Sequence, residues 1–185
     1  MKDGKVHCEH PGVGLDDFMM LAYDQLNGAY PKFYKMDRLS KLGFLGSEFL
    51  LGSTEKCPAY STAVVLSNSS ASLDTDLRYW ESVKTQASPS LFVYTLPNIM
   101  IGEICIRQGI KGESMFFVSP QFDPQETASY VDLLFERGVA DHCLAGWVEV
   151  LDGRADVFLY LTGKSNHGIA DHTAAKMLEL YTWNP

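Results

Sequence analysis

Apolar residues in the first third of the chain recur at the three- and four-residue intervals of a helix face. Leu15, Phe18, Met19, Ala22 and Leu26 do so across residues 15–27, with Asp16 and Asp17 in the first turn and Gly28 behind. A second run, 35–51, carries Leu39, Leu42, Leu45, Phe49 and Leu50, interrupted by Gly43 and Gly46. Glycine weakens a helix interior, so this pair predicts a helix pressed closely against another backbone. The period then changes. Residues 61–67, STAVVLS, are a short β-branched run that reads as a buried strand. Ser69 to Ser72 read as the cap of a helix through Asp76, Tyr79, Trp80 and Val83, and Pro89 marks a break. Residues 98–108, NIMIGEICIRQ, predict a helix that is apolar around most of its circumference. Asn98 is its expected N-cap, Glu103 and Arg107 an i, i+4 ion pair, and Gly109 its end.

The second half repeats the alternation. Met115 to Val118 predict a strand, Ser119-Pro120-Gln121 a turn, and residues from about Pro124 to Arg137 a helix. A strand follows around His142 to Val148, then a turn at Asp152-Gly153, a strand at 156–162 and a last helix from about Ile169 to Tyr181. Strands separated by helices predict a largely parallel sheet covered on both faces, and the two-residue turn makes the final strand pair antiparallel. The expectation is one α/β domain spanning 1–185, with residues 1–14 as a loose N-terminal segment.

Composition narrows the function. Fifteen Lys and Arg against 23 Asp and Glu give a formal charge of −8, which argues against nucleic acid or an anionic membrane as partner. No run has the length of a membrane span, and Met1 to Lys5 lack the apolar core of a signal peptide, so a cytoplasmic location is expected. Cys8, Cys57, Cys105 and Cys143 are scattered without CxxC spacing and read as free thiols. His7, Cys8 and His10 have the residue types of a metal site but lack a fourth ligand, so neither metal nor cofactor is expected.

The segment 111–131, KGESMFFVSPQFDPQETASYV, combines a strand, a tight turn and a helix start. Many α/β enzymes place a nucleophile there, because backbone N–H groups and the helix dipole stabilise negative charge. Here the turn holds Gln121, whose amide offers hydrogen bonds and no nucleophile.

Three segments carry a resemblance: SPSLFVYTLPNIMIGEICIRQGIKG (88–112), KMDRLSKLGFLGSE (35–48) and RGVADHCLAGWVE (137–149). Together, over roughly residues 30–150, they resemble the N-terminal half of β-ketoacyl-acyl-carrier-protein synthases. The resemblance implies a three-layer α/β/α thiolase-like half-domain with a mixed sheet. It also places Gln121 where the family has the cysteine of a T-A-C-A-S turn, and Asp123 where it has the serine. Glutamine at that point is similar to that of chain-length factors, which pair with an active synthase. The family's N-terminal apolar strand is not evident before residue 15, and the half that supplies its two catalytic histidines is not in this chain.

The resemblance therefore implies a non-catalytic or accessory subunit of fatty-acid- or polyketide-type biosynthesis. The alternatives are a small acyltransferase or decarboxylase, and an acyl-carrier-binding module. A lone half leaves apolar surface where its twin would sit, so a homodimer or a heterodimer with an active ketosynthase is expected. Lys32, Lys35, Arg38 and Lys41 form a basic cluster that could dock an acidic acyl carrier protein. His167 and His172 read as solvated residues near a helix start rather than catalytic groups. Cys105 reads as a core residue whose thiol burial makes inert.

Overall fold

The computed structural model describes residues 5, 7–52, 57–165 and 170–183. In chain order, α1 is Leu15–Gln25, a 3-10 turn covers Pro31–Lys35, and α2 is Arg38–Leu51. Strand β1 is Thr62–Asn68, followed by α3 (Leu73–Val83), α4 (Pro89–Phe92), α5 (Asn98–Gln108) and β2 (Ser114–Val118). Helix α6 (Pro124–Glu136) leads into β3 (His142–Leu151), β4 (Arg154–Gly163) and α7 (Ala174–Thr182).

The four strands form one sheet in the order β2-β1-β3-β4. β1 runs parallel to both β2 and β3, and β3 and β4 are antiparallel around Asp152-Gly153, as the strand and helix spacing predicts. All seven residues of β1 are buried, which suits a β-branched strand with covered faces. Its side chains divide by parity. Val64 and Leu66 join Leu144 and Val148 of β3 against α1, α2 and α5, through Tyr23, Phe44, Met100 and Ile104. Ala63 and Val65 join Cys143 and Ala145 against α6, through Val131, Leu134 and Phe135. Each fully buried aliphatic side chain contributes roughly 1.5–3 kcal/mol. Among the described residues no helix is long and apolar enough to cross a membrane.

Close packing of α2 is observed, though its neighbours are side chains rather than backbone. A Cβ on Gly43 would come within 2.5 Å of Met100 on α5, and one on Gly46 within 2.7 Å of Leu159 on β4. Helix α2 also starts later than the apolar period suggests. Asp37 caps it by accepting from the Ser40 amide at 2.9 Å and ties it to α3 by accepting from Thr75 Oγ1 at 2.6 Å.

Several local expectations give way. Asn98 is the first helical residue of α5 and Pro97 holds the capping position. Glu103 and Arg107 do not pair with one another. Glu103, only 4% exposed, meets Lys32 at 2.8 Å, and Arg107 meets Glu48 at 2.7 Å. Helix spacing brought them within reach, but partners on other elements sit nearer the core face. Pro89 starts a one-turn helix capped by Ser88, since proline suits a first helical position. Helix α7 begins at Ala174 behind a Thr173 cap.

Gly146 is the tightest point of the sheet. Its φ is 146°, and a Cβ there would lie 1.9 Å from the Phe158 carbonyl oxygen on β4. Unlike the neighbours of Gly43, that atom is backbone held in a ten-residue ladder. Gly146→Ala should therefore cost on the order of 3 kcal/mol. Gly43→Ala, which meets a flexible methionine, should cost less. Urea denaturation midpoints of the two variants measure the order.

Candidate functional site

The carboxyl ends of β1 and β2 carry the segment with Gln121. The Ser119 amide donates to the Asn68 carbonyl at 2.9 Å, so the turn leaves the sheet directly beside β1. Gln121 is exposed and Phe122 is buried. Asp123 then caps α6, its carboxylate accepting from the Glu126 amide at 2.9 Å. Pro124 at the first helical position has no N–H. The helix terminus where such a fold could hold an anion thus already holds this chain's own carboxylate. Ser119 Oγ donates to Glu126 at 3.0 Å and closes the turn further.

Beneath the turn lies an aromatic layer that sequence reading does not reveal. Phe122 packs edge-on against Trp147 (6.3 Å between centroids), Phe158 (5.5 Å) and Tyr181 (4.9 Å). Trp147 and Phe158 face each other across β3 and β4, while Tyr181 comes from α7 and its hydroxyl donates to Asp156. The final helix therefore covers the sheet side of the turn. His172 anchors the approach to it. Its Nδ1 lies 3.1 Å from Asp132 on α6 and its Nε2 lies 3.2 Å from the Tyr160 hydroxyl on β4. With Nδ1 donating to the carboxylate, Nε2 accepts from the phenol. His172 is thus a tie between elements and not a solvated side chain. His167 lies outside the described residues.

The other side of the site is built by Glu149 on β3. Its Oε2 accepts from the Ser69 amide at 2.6 Å, Ser69 Oγ at 2.7 Å and the Ser70 amide at 3.0 Å. Asn68 completes the loop by exchanging two bonds of 2.9 Å with Ala71. Ser69 and Ser70 therefore bind a carboxylate, while Ser72 at the cap of α3 makes no side-chain bond to the helix backbone. Burial alone would push the Glu149 carboxyl up, but the Ser69 and Ser70 donors outweigh it and hold it below the ordinary glutamate range. The signal was present in the sequence: Glu149 closes RGVADHCLAGWVE.

The predicted basic cluster is largely engaged within the chain. Lys32 pairs with Glu103, and Arg38 pairs with Asp16 at 2.6 Å and Asp74 at 3.2 Å. Lys41 lies 5.6 Å over the Phe33 ring, where burial lowers its pKa. Lys35 is exposed on the 3-10 turn. The cysteines are free. Burial pushes Cys143 up to about 12 and also raises Cys105 and Cys57. Cys105 is only half-buried and its neighbour Ile106 points to solvent, so α5 is less enclosed than its composition implies. His7 uses its backbone carbonyl to accept from the Gln25 side chain, and His10 packs on Phe18. Among the described residues, no group of three or more His, Cys, Asp or Glu is placed to hold a metal ion.

No family model and no curated protein matches the chain. Solved structures do. The ishigamide ketosynthase/chain length factor is 22% identical, with a TM-score of 0.62 over 77% of this chain and 40% of its own. The ketosynthase ApeO in complex with its chain length factor ApeC, from Xenorhabdus doucetiae, is 14% identical, with a TM-score of 0.50 over 76% of this chain and 63% of its own. AntDE:AntF, a type II PKS acyl-carrier protein in complex with its ketosynthase bound to the hexaketide, is 16% identical, with a TM-score of 0.53 over 75% and 47%. The chain has their thiolase-like α/β fold and spans less than two thirds of the length of each.

Because the folded state holds the Glu149 carboxyl below its unfolded value, the group's contribution to stability is complete above the unfolded pKa and is lost as pH falls through the folded one. Denaturation midpoints of the wild type should drop as pH is lowered from 6 to 3, a range that starts above glutamate's ordinary pKa of about 4.3 and runs below it. Glu149→Gln should start less stable at pH 6 and show a shallower fall. Equal slopes would show that Glu149 is not the group being titrated. Separately, Asp123→Ala should remove the α6 cap at a cost of about 1 kcal/mol, read in the same experiment at pH 7.

Proposed function

We propose that the chain is a ketosynthase-like accessory subunit of polyketide- or fatty-acid-type biosynthesis, without condensing activity of its own. The observation that carries this reading is the turn. Gln121 stands exposed there, Asp123 fills the helix terminus, and Phe122 packs down onto Trp147 and Tyr181. Acyl transfer through a covalent intermediate needs a nucleophile next to unoccupied donors for the developing oxyanion. The buried thiol of Cys143 is no substitute, because its pKa is pushed far above neutrality.

An accessory subunit needs a partner, and two features support a chain of the same fold. β2 is an edge strand whose outer side pairs with no described strand, and Val118 on it is exposed. Helix α3 presents Leu73, Leu77 and Trp80 to solvent, and the neighbouring segment presents Phe92, Val93 and Leu96. Apolar surface of this kind marks an interaction site. In two of the similar solved structures, a ketosynthase is described with a chain length factor. On this reading the partner is an active ketosynthase, and a homodimer is the competing outcome. Carrier-protein docking at Lys32, Lys35, Arg38 and Lys41 belongs to the same reading. Lys35 is exposed and makes no ion pair among the described residues.

Wild type and Gln121→Cys are to be incubated with acyl- and malonyl-carrier protein, followed by product analysis and intact-mass measurement. Neither should condense, since a thiol at 121 would still face a capped helix end. Turnover by the wild type would refute the accessory reading. A covalent acyl adduct would favour a small acyltransferase or decarboxylase, and mass-neutral carrier binding would favour a carrier-binding module. In a separate test, native mass should report a dimer, alone or with a co-expressed ketosynthase. Trp80→Asp with Phe92→Asp should weaken that dimer at least tenfold. A monomer under both conditions would exclude the partner.

A further inference from the structure

Of five buried side-chain polar atoms without a hydrogen-bond partner among the described residues, two of opposite sense lie close together in sequence: Trp147 Nε1, a donor, and Glu149 Oε1, an acceptor. They sit two residues apart on one strand, so their side chains leave the same face of the sheet, about 6.7 Å apart at the backbone. Trp147 as a whole is 4% exposed. Glu149 is the more demanding of the two. Its hydrogen bonds from Ser69 and Ser70 all fall on Oε2, which leaves Oε1, the buried oxygen of a half-buried residue, bare. Buried polar atoms in folded proteins are nearly always satisfied, and two complementary ones on neighbouring positions suggest a single shared partner.

The surroundings are largely aromatic. Phe122 packs against the indole, Phe158 is its cross-strand neighbour on β4, and Tyr181 of α7 packs against both phenylalanines. Asp156 lies directly across from Glu149 on β4, is exposed, and is held by the Tyr181 hydroxyl. Ser67 stands beside Trp147 on β1 but spends its hydroxyl on the Gly146 carbonyl at 3.2 Å, so it does not serve the indole.

We propose that Trp147 and Glu149 form a binding site for one small neutral hydroxyl group, which accepts from the indole N–H and donates to the carboxylate. Two bonds of about 2.8 Å let one oxygen bridge polar atoms up to about 5.6 Å apart, so the two side chains lean together from backbones about 6.7 Å apart. A cation would satisfy Glu149 and repel the indole N–H, and an anion would do the reverse. A hydroxyl serves both. Its source is a water molecule or the terminus of a small alcohol entering past Asp156. Either occupant would make the floor beneath the Gln121 turn polar at one point in an otherwise aromatic layer.

Crystals of the full chain test this in two arms, one grown free of alcohols and one soaked in 2-propanol. The expected result is one oxygen within about 2.7–3.2 Å of both Trp147 Nε1 and Glu149 Oε1. A lone peak unchanged between arms identifies water, and a branched peak in the soaked arm identifies the alcohol. Absence of any such oxygen in both arms overturns the proposal, as does direct bonding of either atom to another protein group. Trp147→Phe should empty the bridging position while the Ser69 and Ser70 bonds to Glu149 remain. An oxygen kept in place by Glu149 alone would remove the indole from the site. Should that variant fail to fold, the wild-type indole N–H can be followed by NMR. It should show cross-relaxation to water that 2-propanol alters if the alcohol binds, and no cross-relaxation to either solvent would overturn the proposal.

Discussion

β1 has no solvent face and no free edge. It hydrogen-bonds to β2 on one side and β3 on the other, in parallel on both, and its alternating side chains enter two separate apolar clusters. The candidate site is positioned by where this strand stops. Asn68, its last residue, receives the amide that begins the Gln121 turn and folds back on Ala71. The next residues, Ser69 and Ser70, point their donors at Glu149. The site is therefore a property of one strand end held from both sides, and it inherits the rigidity of that strand.

The charges follow the same logic. Several acidic groups near the core are matched by a donor from another element: Asp37 by Thr75, Glu103 by Lys32 and Tyr94, Glu48 by Arg107 and Gln108. A buried carboxylate is tolerated when its partners are supplied, and in this chain basic and neutral donors share that role. Two of the four residues of the basic cluster, Lys32 and Arg38, likewise meet carboxylates of this chain.

Element order, strand direction and the turn at Asp152-Gly153 were legible because each depends on local period and turn chemistry. The burial of β1 was equally legible from STAVVLS. What was not legible depends on contacts between distant residues. Nothing in NIMIGEICIRQ indicates that Glu103 looks to Lys32 and Arg107 to Glu48, since a helix offers the i, i+4 pairing on its own. His172 read as solvated because its partners, Asp132 and Tyr160, are 40 and 12 positions away. Position 121 could be located from the sequence, but the burial of Phe122 under Tyr181 could not. That contact exists only once α7 has folded back across β4.

The cap at Asp123 bears on how the turn can change. Its carboxylate holds the first turn of α6, and the adjacent Phe122 fills the layer below. A route from this turn toward a reactive one must place a nucleophile, free the helix end and reopen the space beneath, in some order. Freeing the helix end removes a cap, and reopening the space leaves a cavity in an aromatic layer. Each of those steps lowers stability before chemistry can be gained. The substitutions are epistatic: none is useful until the others are present. A turn of this construction is thus held as it is by the packing that makes it stable, and single-residue searches around Gln121 will meet a valley on every side.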